Sequence, residues 1–157
     1  MKFPITTSTA IKWEEPFLNR PGQQFKAVQY IGQLSGSNVP YVVTNSSNWV
    51  YAGTGLGNGD SIPGIVGYEA DASQSSYPLP TSVAGTYALL SQSPFTDTAN
   101  RANYSNSSIF QALSGAWVFS SGTIYWSWGL DYPGVADSRI QRITANLLSR
   151  FLGVPPP

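Results

Sequence analysis

The chain has 157 residues, which is enough for one domain with a core of its own, and its eight basic and eight acidic residues give a formal net charge of zero. It contains no histidine and no cysteine, which excludes a Ser-His-Asp triad, a Cys-His nucleophile pair and any zinc site built on those residues. The balanced charge gives no indication of a nucleic-acid partner, and acid-base chemistry would fall to carboxylates, Tyr or Lys.

The composition is typical of a protein outside the cytoplasm. Charged residues make up only 10% of the chain, well below the roughly 25% of an average soluble domain. We therefore expect an extracellular or extracytoplasmic location, although the first residues show no apolar signal-peptide segment. The uncharged span 112–130 is interrupted by Gly and Ser, so we expect no membrane insertion. Three Asn-X-Ser triplets, the acceptor motif for N-glycosylation, begin at Asn45, Asn103 and Asn106. They are compatible with an extracellular location, but a chain rich in Asn and Ser contains such triplets by chance.

The distribution of prolines and apolar residues along the sequence predicts three regions. Residues 1–24 are predicted to be irregular because three prolines are spaced through them. Residues 25–153 are predicted to form a single α/β domain, and residues 154–157 a Pro-rich tail. Apolar runs predict strands over residues 25–31, 41–44, 65–67 and 86–91, and Asn48 can cap one helical turn between the second and third of them. Residues 73–82 are predicted to be a loop, and residues 93–108 are polar and show no useful period.

Three of the eight acidic residues fall in one Gly-rich stretch that contains the third strand. A short buried strand that ends in Tyr-Glu-Ala-Asp would deliver carboxylates to a sheet edge, where α/β proteins tend to build their sites. The four candidate binding residues are Asp60, Tyr68, Glu69 and Asp71. The alternative is structural, since acids beside Gly often cap turns by accepting hydrogen bonds from backbone amides.

The last third of the chain predicts a hairpin followed by a helix. Residues 116–120 and 123–128 alternate around a Gly-containing turn, which favours a β-hairpin. The two same-face tryptophans Trp126 and Trp128 could form a sugar-binding platform, but packing against the helix is favoured. The helix is predicted from Ser138 to about Leu152, with Asp137 beside its start. Its buried stripe is predicted to be Ile140, Ile143, Leu147, Leu148 and Phe151. The opposite face carries Arg139, Arg142, Asn146 and Arg150; a solvated face is favoured there, and an anion or partner site is the alternative.

Four motifs in this order resemble a known family. They are Trp-Val-Tyr-Ala-Gly-Thr-Gly-Leu at 49–56, Gly-Tyr-Glu-Ala-Asp at 67–71, Gly-Ala-Trp-Val-Phe at 115–119 and Arg-Ile-Thr-Ala-Asn-Leu-Leu at 142–148. Together they are similar to the C-terminal domain of the N,N-dimethylformamidase large (beta) subunit and its relatives. The resemblance runs from about Trp13 to Gly153.

The resemblance implies a fold, an activity and a metal. The implied fold is the C-terminal part of a class I glutamine amidotransferase-like layered sheet of the flavodoxin-like kind, within the ThuA-like branch, and this chain would be only part of a longer domain. The implied activity is an amidase-like hydrolysis of the C–N bond in amides and formamides. The characterised relative resembles an iron enzyme with Tyr and Glu ligands, but those ligands are expected upstream. The cofactor of this chain is therefore left unknown, and no catalytic residue or metal ligand is assigned.

Two expectations concern partners. The predicted strands from 25 to 91 have no clear helix between them, so one sheet face would be under-covered. We expect a second copy of the chain, in a homo-oligomer, or the remainder of a longer chain to cover it. The alternative function is a non-catalytic extracellular module that binds a glycan or assembles with itself, which low charge and abundant Ser, Thr and Asn would suit.

Overall fold

A computed structural model describes Leu18 and residues 20–155. The predictions for residues 1–17, 19 and 156–157, which include most of the irregular N-terminal segment, lie outside the described residues. The strands are β1 (Gln29–Gln33), β2 (Val39–Val42), β3 (Ser61–Val66), β4 (Glu69–Ala72), β5 (Ala88–Leu89), β6 (Ser93–Thr96), β7 (Ala102–Ser105), β8 (Ser108–Gln111) and β9 (Trp117–Ser120). The helices are α1 (Gly22–Lys26), α2 (Trp128–Asp131) and α3 (Ser138–Leu152), with 3-10 turns at Trp49–Tyr51 and Ile124–Ser127.

The strands form four small antiparallel sheets. β1 pairs with β4, β2 with β3 and β6 with β7, while β5, β8 and β9 form a three-stranded sheet. Isolated bridges join these sheets, among them Val43 with Ser91 and Ala70 with Thr123. Helices and strands therefore mix in a loop-rich α/β domain, as predicted. An amidotransferase-like layered sheet of the flavodoxin-like kind would be mostly parallel, whereas all the pairs given above are antiparallel. The described strands therefore do not support that finer prediction, and it stays a prediction.

The core lies between the sheets and α3. Its fully buried members include Ile62 and Ile65 of β3 and Ile140 and Ile143 of α3. The long helix begins where the sequence predicts, because the Asp137 carboxylate accepts a hydrogen bond from the Arg139 amide at 2.8 Å. The Arg139 side chain also donates to this carboxylate and lowers the pKa of Asp137.

A buried network of hydroxyl groups crosses the core. The Tyr41 hydroxyl lies 2.8 Å from that of Tyr51 and 2.6 Å from Ser107 Oγ, which in turn lies 2.9 Å from Ser91 Oγ. The Tyr51 hydroxyl donates to the Leu90 carbonyl at 2.6 Å. Burial raises the pKa of both tyrosines, so they remain neutral donors. The network joins segments that are far apart in sequence.

α3 is tied to the first 3-10 turn by one amide side chain. Asn146 is buried, and its Nδ2 donates to the carbonyls of Val50 and Ala52 at 3.0 and 2.8 Å. The turn itself is capped by Asn48, whose Oδ1 accepts from the Val50 amide, as predicted. Placing Asn146 on the solvated face of the helix was therefore wrong.

Other local predictions also need correction. The stretch 25–31, predicted as one strand, instead contains the end of α1 and the start of β1. Residues 22–24, predicted to be irregular, form the first part of α1. Residues 93–108, which show no useful period in the sequence, contain the β6–β7 pair. The period is hidden because the buried strand positions hold the small polar residues Ser93 and Ser105 as well as the apolar Phe95. Leu148 and Phe151 of α3 are exposed, so the buried stripe ends with Leu147.

The predicted hairpin is only half present. β9 covers its first arm, but the second arm is the 3-10 turn that leads into α2, and β9 pairs with β8 instead. Thr123 caps that turn by accepting from the Tyr125 amide, which favours helical geometry over a strand. Trp126 is buried against α3, where its Nε1 donates to Thr144 Oγ1, so the favoured core packing holds for this residue.

The helices of the described residues include none with the length and apolar character required to cross a bilayer. The expected self-association stays a prediction.

Candidate functional site

Glu69 and Asp71 are presented by the same face of one short strand. They stand two residues apart on β4, so their side chains point in the same direction. Antiparallel pairing with β1 sets Asp71 opposite Tyr30 and Glu69 opposite Gln33. Both carboxylates are half-buried, and they line one cavity together with Tyr30.

We call this space the acidic cavity. Its volume is about 470 Å³, within the range of small-molecule sites. Its walls come from the end of α1, from β1 and β4, and from the end of β9 with the segment that follows it. The lining residues are Lys26, Tyr30, Glu69, Asp71, Phe119, Ser120, Ser121, Gly122, Thr123 and Ile124.

Asp71 is neutralised by a lysine from a distant part of the chain. The Lys26 ammonium forms an ion pair with an Asp71 oxygen, and both side chains are partly shielded from solvent. Lys26 ends α1, where Ala27 takes a left-handed conformation with φ 67° and turns the chain into β1. The Ser108 hydroxyl donates to the Lys26 carbonyl at 3.1 Å and fixes that turn.

Glu69 keeps its charge largely uncommitted. Within the described part of the chain it forms no ion pair, and its one side-chain hydrogen bond is a long one of 3.5 Å from Gln33 Nε2. With Lys26 and Asp71 offsetting each other, Glu69 gives the acidic cavity a net negative charge. A half-buried, weakly bonded carboxylate can accept a proton or a hydrogen bond from a ligand.

The segment after β9 is held against β4 by backbone contacts. The Gly122 carbonyl accepts from the Asp71 amide at 2.9 Å, and Thr123 pairs with Ala70 in an isolated bridge. Thr123 Oγ1 also accepts from the Gly67 amide at 3.0 Å. The wall opposite the carboxylates is therefore fixed rather than loose.

The other two candidate residues lie outside the acidic cavity. Asp60 precedes β3, at the far end of that strand from the turn into β4, and its carboxylate accepts from the Gly57 amide at 2.8 Å. This is the turn-capping role that the sequence left as the alternative. Tyr68 forms the turn itself, with φ 58° and a side chain 54% exposed. Ligand binding by either residue stays a prediction.

The acidic cavity does not fit the iron that the resemblance implies. The described residues contain no group of three or more Asp, Glu, His or Cys placed to hold a metal. The Lys26 ammonium occupies Asp71, and a cation there would be repelled. The two core tyrosines are bonded to each other and to serine, so they are not free ligands.

Lys26, Tyr30 and the segment 120–123 were missed by sequence reasoning. Lys26 and Tyr30 lie more than 38 residues before Glu69, and only the pairing of β1 with β4 brings them together. The one available signal was that both residues lie in one half-polar run, and such a run does not identify a partner strand.

Comparison with known proteins gives one family. The sequence model of the family described as N,N-dimethylformamidase beta subunit-like, C-terminal, matches residues 4–141. No protein with a curated description matches the chain significantly.

Proposed function

This chain belongs to the N,N-dimethylformamidase beta subunit-like C-terminal family, and from that premise we propose that it supplies the scaffold and one wall of a site that hydrolyses the C–N bond of small amides. The observation that carries the proposal is the acidic cavity. In it the Gly-Tyr-Glu-Ala-Asp motif, part of the resemblance, sets an uncommitted carboxylate beside a lysine-aspartate pair.

Glu69 is the residue that we propose as the general base. Amide hydrolysis needs a water oxygen to attack the carbonyl carbon while a base takes the water proton. Asp71 is less suited to this task because Lys26 already holds its charge. Glu69 takes the proton, the C–N bond breaks, and the proton passes to the departing amine nitrogen. No metal enters these steps.

Lys26 is the donor that we propose for the substrate carbonyl. An ammonium group has three N–H donors, and the ion pair with Asp71 uses only part of them. A positive donor aimed at the carbonyl oxygen would stabilise the negative charge that develops there during attack. Asp71 then acts as a positioning residue, since it holds the ammonium at the cavity wall.

Replacement of one carboxyl oxygen tests the role of Glu69. We expect Glu69→Gln, which preserves shape but removes the base, to lower kcat/KM for formamide, N-methylformamide and N,N-dimethylformamide by about 100-fold or more. Release of formate is the readout. The matched control is Asp131→Asn, which removes an exposed carboxylate outside the acidic cavity and should keep full turnover.

Two outcomes separate the parts of the proposal. Undiminished turnover by Glu69→Gln would make Glu69 structural while leaving amide hydrolysis in place. Absence of hydrolysis of all three substrates by the unaltered protein would contradict the proposed activity itself.

A further inference from the structure

A second and larger cavity adjoins the acidic cavity at Tyr30. Its volume is about 670 Å³, large enough for a ligand of two sugar rings. Tyr30 lines both spaces, and the rest of this wall comes from β1, from the end of β4 and the chain after it, from β5 and the chain after it, and from β7 and its flanking residues. We call it the amide-rich cavity, and its main polar side chains are Tyr30, Gln74, Gln92, Arg101, Asn103 and Tyr104.

The polar groups of this cavity are mostly neutral and uncommitted. Among the described residues, the side chains of Gln74 and Gln92 and the hydroxyls of Tyr30 and Tyr104 make no hydrogen bond. Each amide offers both donors and an acceptor, and each phenol offers both roles. Hydroxyl groups of a ligand need that combination, because every hydroxyl also donates and accepts.

The one cation in the cavity wall has its own counter-ion. Arg101 Nε donates to Asp97 Oδ2 at 2.8 Å, and the backbone amides of Ala99 and Arg101 donate to Asp97 Oδ1. The hydrogen bond from the Arg101 amide, with its side chain adding to it, lowers the pKa of Asp97, so the carboxylate stays ionised at neutral pH. The two charges offset each other, and the cavity has no net preference for an anion or a cation.

The same carboxylate makes part of the wall rigid. Asp97 is buried, and its Oδ2 also accepts from Asn103 Nδ2 at 2.9 Å. Asn106, at the back of the cavity, donates to the Ser91 carbonyl and accepts from the Ser73 amide. Asn103 and Asn106 are therefore held in place, and this part of the wall loses little entropy when a ligand arrives.

Two tyrosine rings give the cavity an apolar component. Tyr30 is 47% exposed and Tyr104 is 52% exposed, and they stand on different strands, β1 and β7. A tyrosine presents an apolar ring face together with a polar tip. Ring faces beside neutral amides match a molecule that has C–H surfaces and hydroxyl edges.

We propose that the amide-rich cavity binds an uncharged saccharide. The apolar faces of the sugar rings lie against Tyr30 and Tyr104, and the hydroxyl edges bond to Gln74 and Gln92. This inference is independent of amide hydrolysis, since none of the bonding groups except Tyr30 belongs to the acidic cavity.

The test is a binding titration with defined probes. Maltose, cellobiose, lactose and N-acetylglucosamine are titrated into the protein and followed by saturation-transfer NMR, with glucuronic acid as the acidic probe. We expect at least one neutral sugar to bind and glucuronic acid to bind no more tightly than it does. We also expect Tyr104→Ala and Gln92→Ala each to raise the dissociation constant of that sugar at least fivefold.

The matched control is Tyr132→Ala. Tyr132 is 48% exposed, a fraction similar to that of Tyr104, but its ring stacks on Trp128 and does not line the amide-rich cavity. Its loss should therefore leave sugar binding unchanged. Thermal melting confirms that each variant is folded. Binding of none of the neutral sugars, tighter binding of glucuronic acid, or equal binding by wild type and Tyr104→Ala would overturn the proposal, and none of these outcomes bears on formamide hydrolysis.

Discussion

Gly122 is the position where one added methyl group should destabilise the fold most selectively. Its φ is +75°, a conformation that residues with a Cβ rarely adopt. A Cβ there would lie 2.2 Å from the Asn106 carbonyl oxygen and 2.7 Å from its carbon. That carbonyl belongs to backbone that cannot easily retreat, because the Asn106 amide donates to the Asp71 carbonyl and its side chain bonds to Ser91.

The expected cost of Gly122→Ala has two parts. The left-handed backbone conformation costs about 1–2 kcal/mol for a residue with a Cβ. Forcing a methyl group against fixed backbone costs about 1–3 kcal/mol more. We therefore expect the free energy of unfolding to fall by about 2–5 kcal/mol.

Gly85→Ala supplies a matched control for the first part. Gly85 has nearly the same φ, +77°, but a Cβ there would meet nothing within 4 Å. Urea unfolding followed by tryptophan fluorescence gives both free energies. The difference between the two variants isolates the clash with Asn106. Equal losses in the two variants would refute the reasoning, because the steric part would then be absent.

Two further predictions concern buried polar groups. Because the pKa of Asp97 is lowered from 3.8 in the folded protein, the stability that it contributes is complete at neutral pH and is lost as the pH falls below about 4. The Asp97→Asn variant should therefore melt at a lower temperature than wild type at pH 7. Its melting temperature should fall less than that of wild type between pH 5 and pH 3. Melting temperatures that fall in parallel with pH in the two proteins would contradict this prediction. Asn146→Ala should lower the free energy of unfolding by about 1–3 kcal/mol, because the carbonyls of Val50 and Ala52 lose their donor. Gln141→Ala removes an exposed amide from the same helix as the control, and a similar loss in both variants in urea would contradict the prediction.

The long helix could be predicted because its signals are local. The repeat of Ile140, Ile143 and Leu147, the Asp137 cap and the left-handed Gly153 all lie within one stretch of chain. Each acts through neighbours three or four residues away, so their effect does not depend on the rest of the fold. The start and end of α3 accordingly match the prediction.

The hairpin prediction was wrong in its second arm because both a strand period and a helix period fit the same residues. Apolar residues at 124, 126 and 128 alternate as in a strand, but Tyr125, Trp128 and Tyr132 are also spaced as on a helix. In the fold these three rings stack in sequence, at 3.9 and 4.6 Å between centroids. That stack and the Thr123 cap are available only to the helical form.

Only the part of the candidate site that lies within one motif could be predicted from the sequence. Glu69 and Asp71 lie in one motif, so their common strand face follows from spacing alone. Lys26 and Tyr30 reach them only through the pairing of β1 with β4. That pairing depends on which strands meet across the domain, and period-2 patterns carry no such information.

The bond from Asn146 to Val50 has a consequence for how the chain is made. The two residues are 96 positions apart, and translation adds roughly 5–20 residues per second, so the Val50 carbonyl is synthesised on the order of 5–20 s before its donor. The 3-10 turn that carries it cannot be locked until α3 arrives. Contacts at such separation also carry a high loop-closure entropy and slow folding. The nascent chain must therefore pass through a long interval in which its apolar strands are made but their covering helix is not.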